Sequence, residues 1–98
     1  MPSSTWLIGE TARLSVAITD AAGAAADPGA LRLKTKDPAG TVQTYTYGVS
    51  GEVVKDAVGS YRADILLATA GRWAWRWETD APNAGATEGG LSVEPSLI

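Results

Sequence analysis

Trp73, Trp75 and Trp77 stand two residues apart in Gly71-Arg72-Trp73-Ala74-Trp75-Arg76-Trp77-Glu78, and this spacing constrains the chain more than any other feature. Side chains on a strand alternate faces, so a β conformation gathers the three indoles on one side, whereas a helix scatters them. Arg72, Ala74, Arg76 and Glu78 then fall on the opposite side, the pattern of a strand with one buried and one solvated face. The spacing predicts a central strand whose indoles fill much of the core. Each buried ring needs an acceptor for its N–H. Trp77, nearest the following loop, is expected to be the partly exposed one of the three.

The rest of the chain alternates in the same way. Strands are predicted at about 6–8, 11–19, 31–36, 41–47, 52–55, 60–67, 72–79 and 88–93. In the second, Leu14, Val16 and Ile18 share the inward face; in the third, Leu31 and Leu33 do, with Thr35 behind them. In the sixth, Tyr61 and Ile65 point inward with Ala63 and Leu67. The inward face of the fourth is open: either Val42, Thr44 and Thr46 or Gln43, Tyr45 and Tyr47 face the core, because alternation alone does not choose. Asp37-Pro38-Ala39-Gly40 reads as a hairpin turn, and Thr79 to Gly90, small and polar, as a long loop. Ala24-Ala25-Ala26 is the one place for a helical turn, ended by Pro28 and Gly29. The expectation is a single domain over residues 1–98, an antiparallel two-sheet β-sandwich of immunoglobulin-like or fibronectin type III-like form with seven or eight strands.

Composition narrows the chemistry. With neither cysteine nor histidine among 98 residues, thiolate catalysis, a Ser-His-Asp triad and a structural zinc site are all excluded. A net charge of -3 offers no overall field toward nucleic acid or an anionic membrane. Asp20, Asp27, Asp37, Asp56 and Asp80 lie in turns, where aspartate caps its own backbone, and no D-x-D or EF-hand spacing supports calcium. Gly89-Gly90 lacks the lysine and helix of a phosphate-binding loop, and nothing calls for a cofactor. The amino terminus shows no basic segment followed by an apolar run, so no signal peptide is expected, and no apolar stretch is long enough to cross a membrane as a helix.

Three segments in combination carry a resemblance: Asp37-Pro38-Ala39-Gly40-Thr41-Val42 with Thr44-Tyr45-Thr46-Tyr47-Gly48, the corner Asp56-Ala57-Val58-Gly59-Ser60-Tyr61, and Ala70 to Glu78 with its tryptophans. Together they resemble the small immunoglobulin-like structural proteins of tailed bacteriophages and prophages. The resemblance implies a non-enzymatic virion component, a capsid decoration protein or a part of the head-tail or tail region. Its partners would be other capsid, neck or tail proteins, with self-association in addition, and its location the virion. The motifs are structural, so no functional residues come with them.

One candidate partner-binding face follows from the alternation. If the strands at 31–36 and 72–79 are neighbours, outward Arg32, Lys34 and Lys36 lie beside outward Arg72 and Arg76, gathering five of the eight basic side chains of an acidic protein. Such a face suits an acidic partner surface, and Tyr45 and Tyr47 would join it as aromatic anchors if they point outward. The alternative is a carbohydrate-binding module or a bacterial surface adhesion accessory domain, with aromatic rings stacked on a glycan.

Overall fold

Alternating apolar and polar positions carry eight segments into strands among the residues described by this computed structural model, 5–81 and 83–97. They are β1 (Thr5–Leu7), β2 (Thr11–Ala17), β3 (Leu31–Lys36), β4 (Val42–Thr46), β5 (Val53–Ala57), β6 (Ser60–Leu66), β7 (Gly71–Thr79) and β8 (Gly85–Glu94). A five-stranded sheet in the order β1-β8-β7-β3-β4 faces a three-stranded sheet in the order β2-β6-β5. This is the immunoglobulin-like β-sandwich that the alternation predicts. Every ladder is antiparallel except β1 with β8, which runs parallel with Thr5 opposite Ser92. A tight turn, closed by the Glu10 N–H donating to the Leu7 carbonyl at 3.1 Å, hands the chain from β1 to β2 in the other sheet.

Two local expectations are corrected. The last strand starts at Gly85 rather than residue 88, because β7 and β8 stay in register from Gly71 opposite Val93 to Thr79 opposite Gly85. Most of the predicted long loop is therefore ladder. The Ala24-Ala25-Ala26 run forms no helix: Thr19 bridges Ala25, and Asp20 Oδ1 accepts from the N–H groups of Ala22 and Ala24 at 2.9 and 3.1 Å. The aspartate offers this backbone a closed turn, which three alanines are too few to outweigh.

The core has two halves. Ile18, Leu31, Leu33, Val53, Tyr61, Ala63, Ile65 and Trp77 form one; Ala12, Leu67, Leu91 and Val93 form the other. Trp75 and Leu14 pack against both, Val16 against the first and Trp73 against the second, so the tryptophan row joins the halves. Trp77 is 1% exposed, the reverse of the expectation that it is the open one. The ladder extends two residues beyond it, so its ring lies within the sandwich rather than beside a loop. Trp73 and Trp75 are the half-buried pair. Covering an indole removes roughly 150–250 Å² from water, or about 4–6 kcal/mol at about 25 cal/mol per Å².

The corner Asp56 to Tyr61 ties the sheets together at one end. Gly59 sits at φ +71°, and a Cβ there would lie 2.5 Å from the Ile18 carbonyl oxygen and 2.8 Å from the Ala26 nitrogen. Only glycine meets both the left-handed backbone and the close crossing. Asp27 reaches in from the loop before β3: its Oδ1 accepts from the Gly59 N–H at 2.8 Å and the Tyr61 hydroxyl at 3.0 Å, and its Oδ2 from Lys55 Nζ at 2.6 Å.

Candidate functional site

The outward face of the five-stranded sheet is fixed by the β3–β7 register, which sets Arg32 opposite Glu78, Lys34 opposite Arg76 and Lys36 opposite Ala74. All five predicted basic side chains are therefore on one face. Tyr45 and Tyr47 are not. Tyr45 stands opposite Leu33, which is fully buried, and packs on the first core half. Tyr47 meets Tyr61 edge to face, ring centroids 5.1 Å apart at 74°. The inward set is thus Gln43 and Tyr45 of β4 with Tyr47 just beyond it, leaving Val42 outward at 56% exposure. Tyrosine faces bury more apolar area than valine and threonine, and the choice of face follows.

The basic face is largely neutralised from within. Glu78 takes Arg32 Nε on Oε1 at 2.7 Å, Arg76 Nε on Oε2 at 2.7 Å, and Lys34 Nζ at 3.3 Å. Arg76 also reaches Glu88 at 3.1 Å and Arg32 reaches Asp80 at 3.2 Å. The Arg76 hydrogen bond, joined by those of Lys34 and Arg32, holds the Glu78 carboxyl down at about 2 against the opposing effect of partial burial. The sequence places Glu78 in the same alternation as Arg76; its role as the hub of three cations depends on the register of β3, which alternation does not give.

Elsewhere Arg13 pairs with Asp64, Lys55 with Asp27, and Arg62 with Asp56 and Asp64. Of the eight basic side chains, Lys36 and Arg72 alone have no acidic partner among the described residues. Both line one open groove of about 640 Å³, with Ala74 and Gly90 beneath them. Ala74 and Gly90 are register partners, so the sheet surface dips where its two smallest side chains meet. A Cβ on Gly90 would lie 2.7 Å from Arg72 Nη2, so the guanidinium rests on the Gly90 backbone, with Nη1 3.4 Å from Ser92 Oγ. The neighbouring Gly89 gives the same room to Trp75 on the inner side, a Cβ there lying 2.6 Å from the ring.

The dip is a recess whose walls carry two cations without acidic partners, Lys36 and Arg72, together with Glu88, whose carboxylate is held by Arg76 at 3.1 Å. Asp37, at the same end, is occupied with its own turn, accepting from the N–H groups of Ala39 and Thr41 at 3.0 and 2.9 Å. Asp20 likewise caps its turn, whereas Asp27, Asp56 and Asp80 pair with side chains of other strands rather than with their own loops. No group of three or more carboxylates among the described residues is placed to hold a metal ion.

No protein-family model matches the chain. No curated protein matches it in sequence. Among solved structures, one from Bacteroides vulgatus described as a "putative glycoside hydrolase" superposes with a TM-score of 0.63 at 16% identity, over 94% of this chain and 16% of that one. The chain thus spans about one sixth of that protein's length, and the likeness is one of fold.

Proposed function

We propose that this chain is a non-enzymatic interaction module that docks on an acidic protein surface through the outward face of its five-stranded sheet. The observation that carries the reading is the convergence of the two unpaired cations, Lys36 and Arg72, on the recess over Ala74 and Gly90. Cations already paired within the sheet add little to an encounter, whereas free ones steer and orient an acidic partner. The three sequence segments that resemble tailed-phage immunoglobulin-like proteins support a place in a virion, on the capsid shell or at the neck or tail. Mass spectrometry of purified virions from the phage or prophage carrying this chain tests it. Copy numbers near that of the capsid subunit support shell decoration, and a few to a few tens of copies support neck or tail. Absence from virions overturns the virion reading.

A second reading, a glycan-binding module, rests on one observation: Trp73 and Trp75 line the same groove as Lys36 and Arg72. Weighing against it, Trp73 Nε1 donates to the Thr69 carbonyl at 2.9 Å, and both rings pack on the core rather than forming an open row. Quenching or a shift of tryptophan fluorescence on glycan addition supports this second reading, and an unchanged spectrum removes it.

A further inference from the structure

Among the described residues, the five-stranded sheet has an open edge beside a groove. β1 covers only Ser92 to Glu94 of β8, and no strand among the described residues pairs with the same edge from Gly85 to Leu91. The Ile8 N–H donates to the Glu94 carbonyl at 3.0 Å, which sets the direction of the Glu94 backbone groups. By alternation the backbone N–H and C=O of Ala86, Glu88 and Gly90 point off the same free edge. Inward of it, between β8 and the outer edge of β2, lies a groove of about 210 Å³ walled by Val16, Ala17 and Thr87, with Trp77 at its base. Trp77 Nε1 is buried and has no hydrogen-bond acceptor among the described residues. Native structures rarely leave such a group orphaned.

We infer that the Gly85–Gly90 edge of β8 takes an extended polypeptide segment of another protein by strand addition, continuing the line of β1. A row of unmatched, alternating N–H and C=O groups is complemented by another extended backbone. The inward side chains of that segment enter the groove, which suits small residues, and cover Trp77 at its base. Its outward side chain opposite Glu88, which is 67% exposed, is basic or uncharged.

A second copy of this chain is the poorer occupant. Two β8 edges paired about Glu88 would set that carboxylate against its own copy. The β4 edge is short, because the Thr46 N–H is taken by Ser50 Oγ at 3.1 Å and its carbonyl by the Val49 and Ser50 N–H groups. This edge shares Glu88, Gly89 and Gly90 with the outward recess but uses their backbone edge and the inward groove rather than Lys36 and Arg72, so strand addition stands whether or not acidic docking does.

The test is titration of the nitrogen-15-labelled full chain with a capped synthetic peptide, Thr-Val-Thr-Lys-Thr-Val-Thr, followed by amide and indole shifts. The expected result is saturable shifts at Ala86, Glu88, Gly90 and the Trp77 indole, with a Kd of about 1 mM or tighter. Exchanging the peptide lysine for glutamate weakens binding about two- to fivefold. E88P removes an N–H that points off the edge and keeps the β7–β8 ladder, so it abolishes these shifts while the protein stays folded. A86K, which adds an edge charge without touching the backbone, gives a second reading should E88P unfold, and it weakens binding of the lysine peptide. No shift at several times that concentration, or shifts confined to Val42 and Thr44 on β4, overturns the inference.

Discussion

Arg32 and Glu78 face each other across the β3–β7 ladder, Nε 2.7 Å from Oε1, and the same carboxylate holds Arg76 and Lys34. One glutamate thus controls how much positive charge the outward face presents. Glu78→Gln releases three cations at once. The variant is expected to elute from a sulfated polyanion resin at higher salt than the wild type; elution at the same salt would show that Asp80 and Glu88 suffice to neutralise them.

Acid sensitivity follows from the same carboxylate. Glu78 is held at about 2 against an ordinary 4.5, and Asp27 at about 2 against 3.8, the latter chiefly by Lys55 and the Gly59 N–H. A depressed folded value means the stabilisation is fully present above the unfolded value and is lost as pH falls through the folded one. Stability is therefore flat from neutral pH to about 4.5 and falls between there and about 2. Equilibrium urea unfolding at stepped pH reads it directly, and in Glu78→Gln the acid decline is shallower.

Tyr61 anchors the corner twice, by its hydroxyl on Asp27 and its ring against Tyr47. Tyr61→Phe keeps the ring and loses the hydrogen bond, costing about 1 kcal/mol. Gly59→Ala costs more, since the backbone is left-handed and the new methyl meets the Ile18 carbonyl. The order of the two denaturant midpoints checks the reading.

Trp77→Ala empties the centre of the first core half and is expected to cost about 3–5 kcal/mol. Trp73→Ala, at the half-buried end of the row, costs less. Equal losses would mean that the three indoles act as one unit.

Much of this fold was legible because period-two alternation survives wherever side chains are large. Leu14 to Ile18, Leu31 to Lys36, Tyr61 to Leu67 and the tryptophan row all lie on strands or their immediate continuations, with the expected inward faces. It failed where side chains are small: Gly85, Ala86 and Thr87 fell before the predicted strand at 88–93, yet they lie in β8, paired with Thr79, Glu78 and Trp77. The basic face was legible in outline from Arg32, Lys34, Lys36, Arg72 and Arg76. What a single strand pattern does not carry is cross-strand register, and register decides that Glu78 silences three of the five. Register also turns Tyr45 and Tyr47 toward the core, since Tyr45 stands opposite buried Leu33.

Gly90→Val separates docking from folding. The branched side chain displaces the Arg72 guanidinium from the recess, so partner binding falls while the unfolding free energy changes by roughly 1 kcal/mol or less.

The most direct test of the docking account is carbodiimide cross-linking of intact virions, which joins a lysine amine to a carboxylate it already touches. The account predicts that Lys36 is joined to an aspartate or glutamate of a different virion protein, and that Arg72→Glu reduces the yield. Virions in which Lys36 stays unmodified, or is joined only within its own chain, would contradict it.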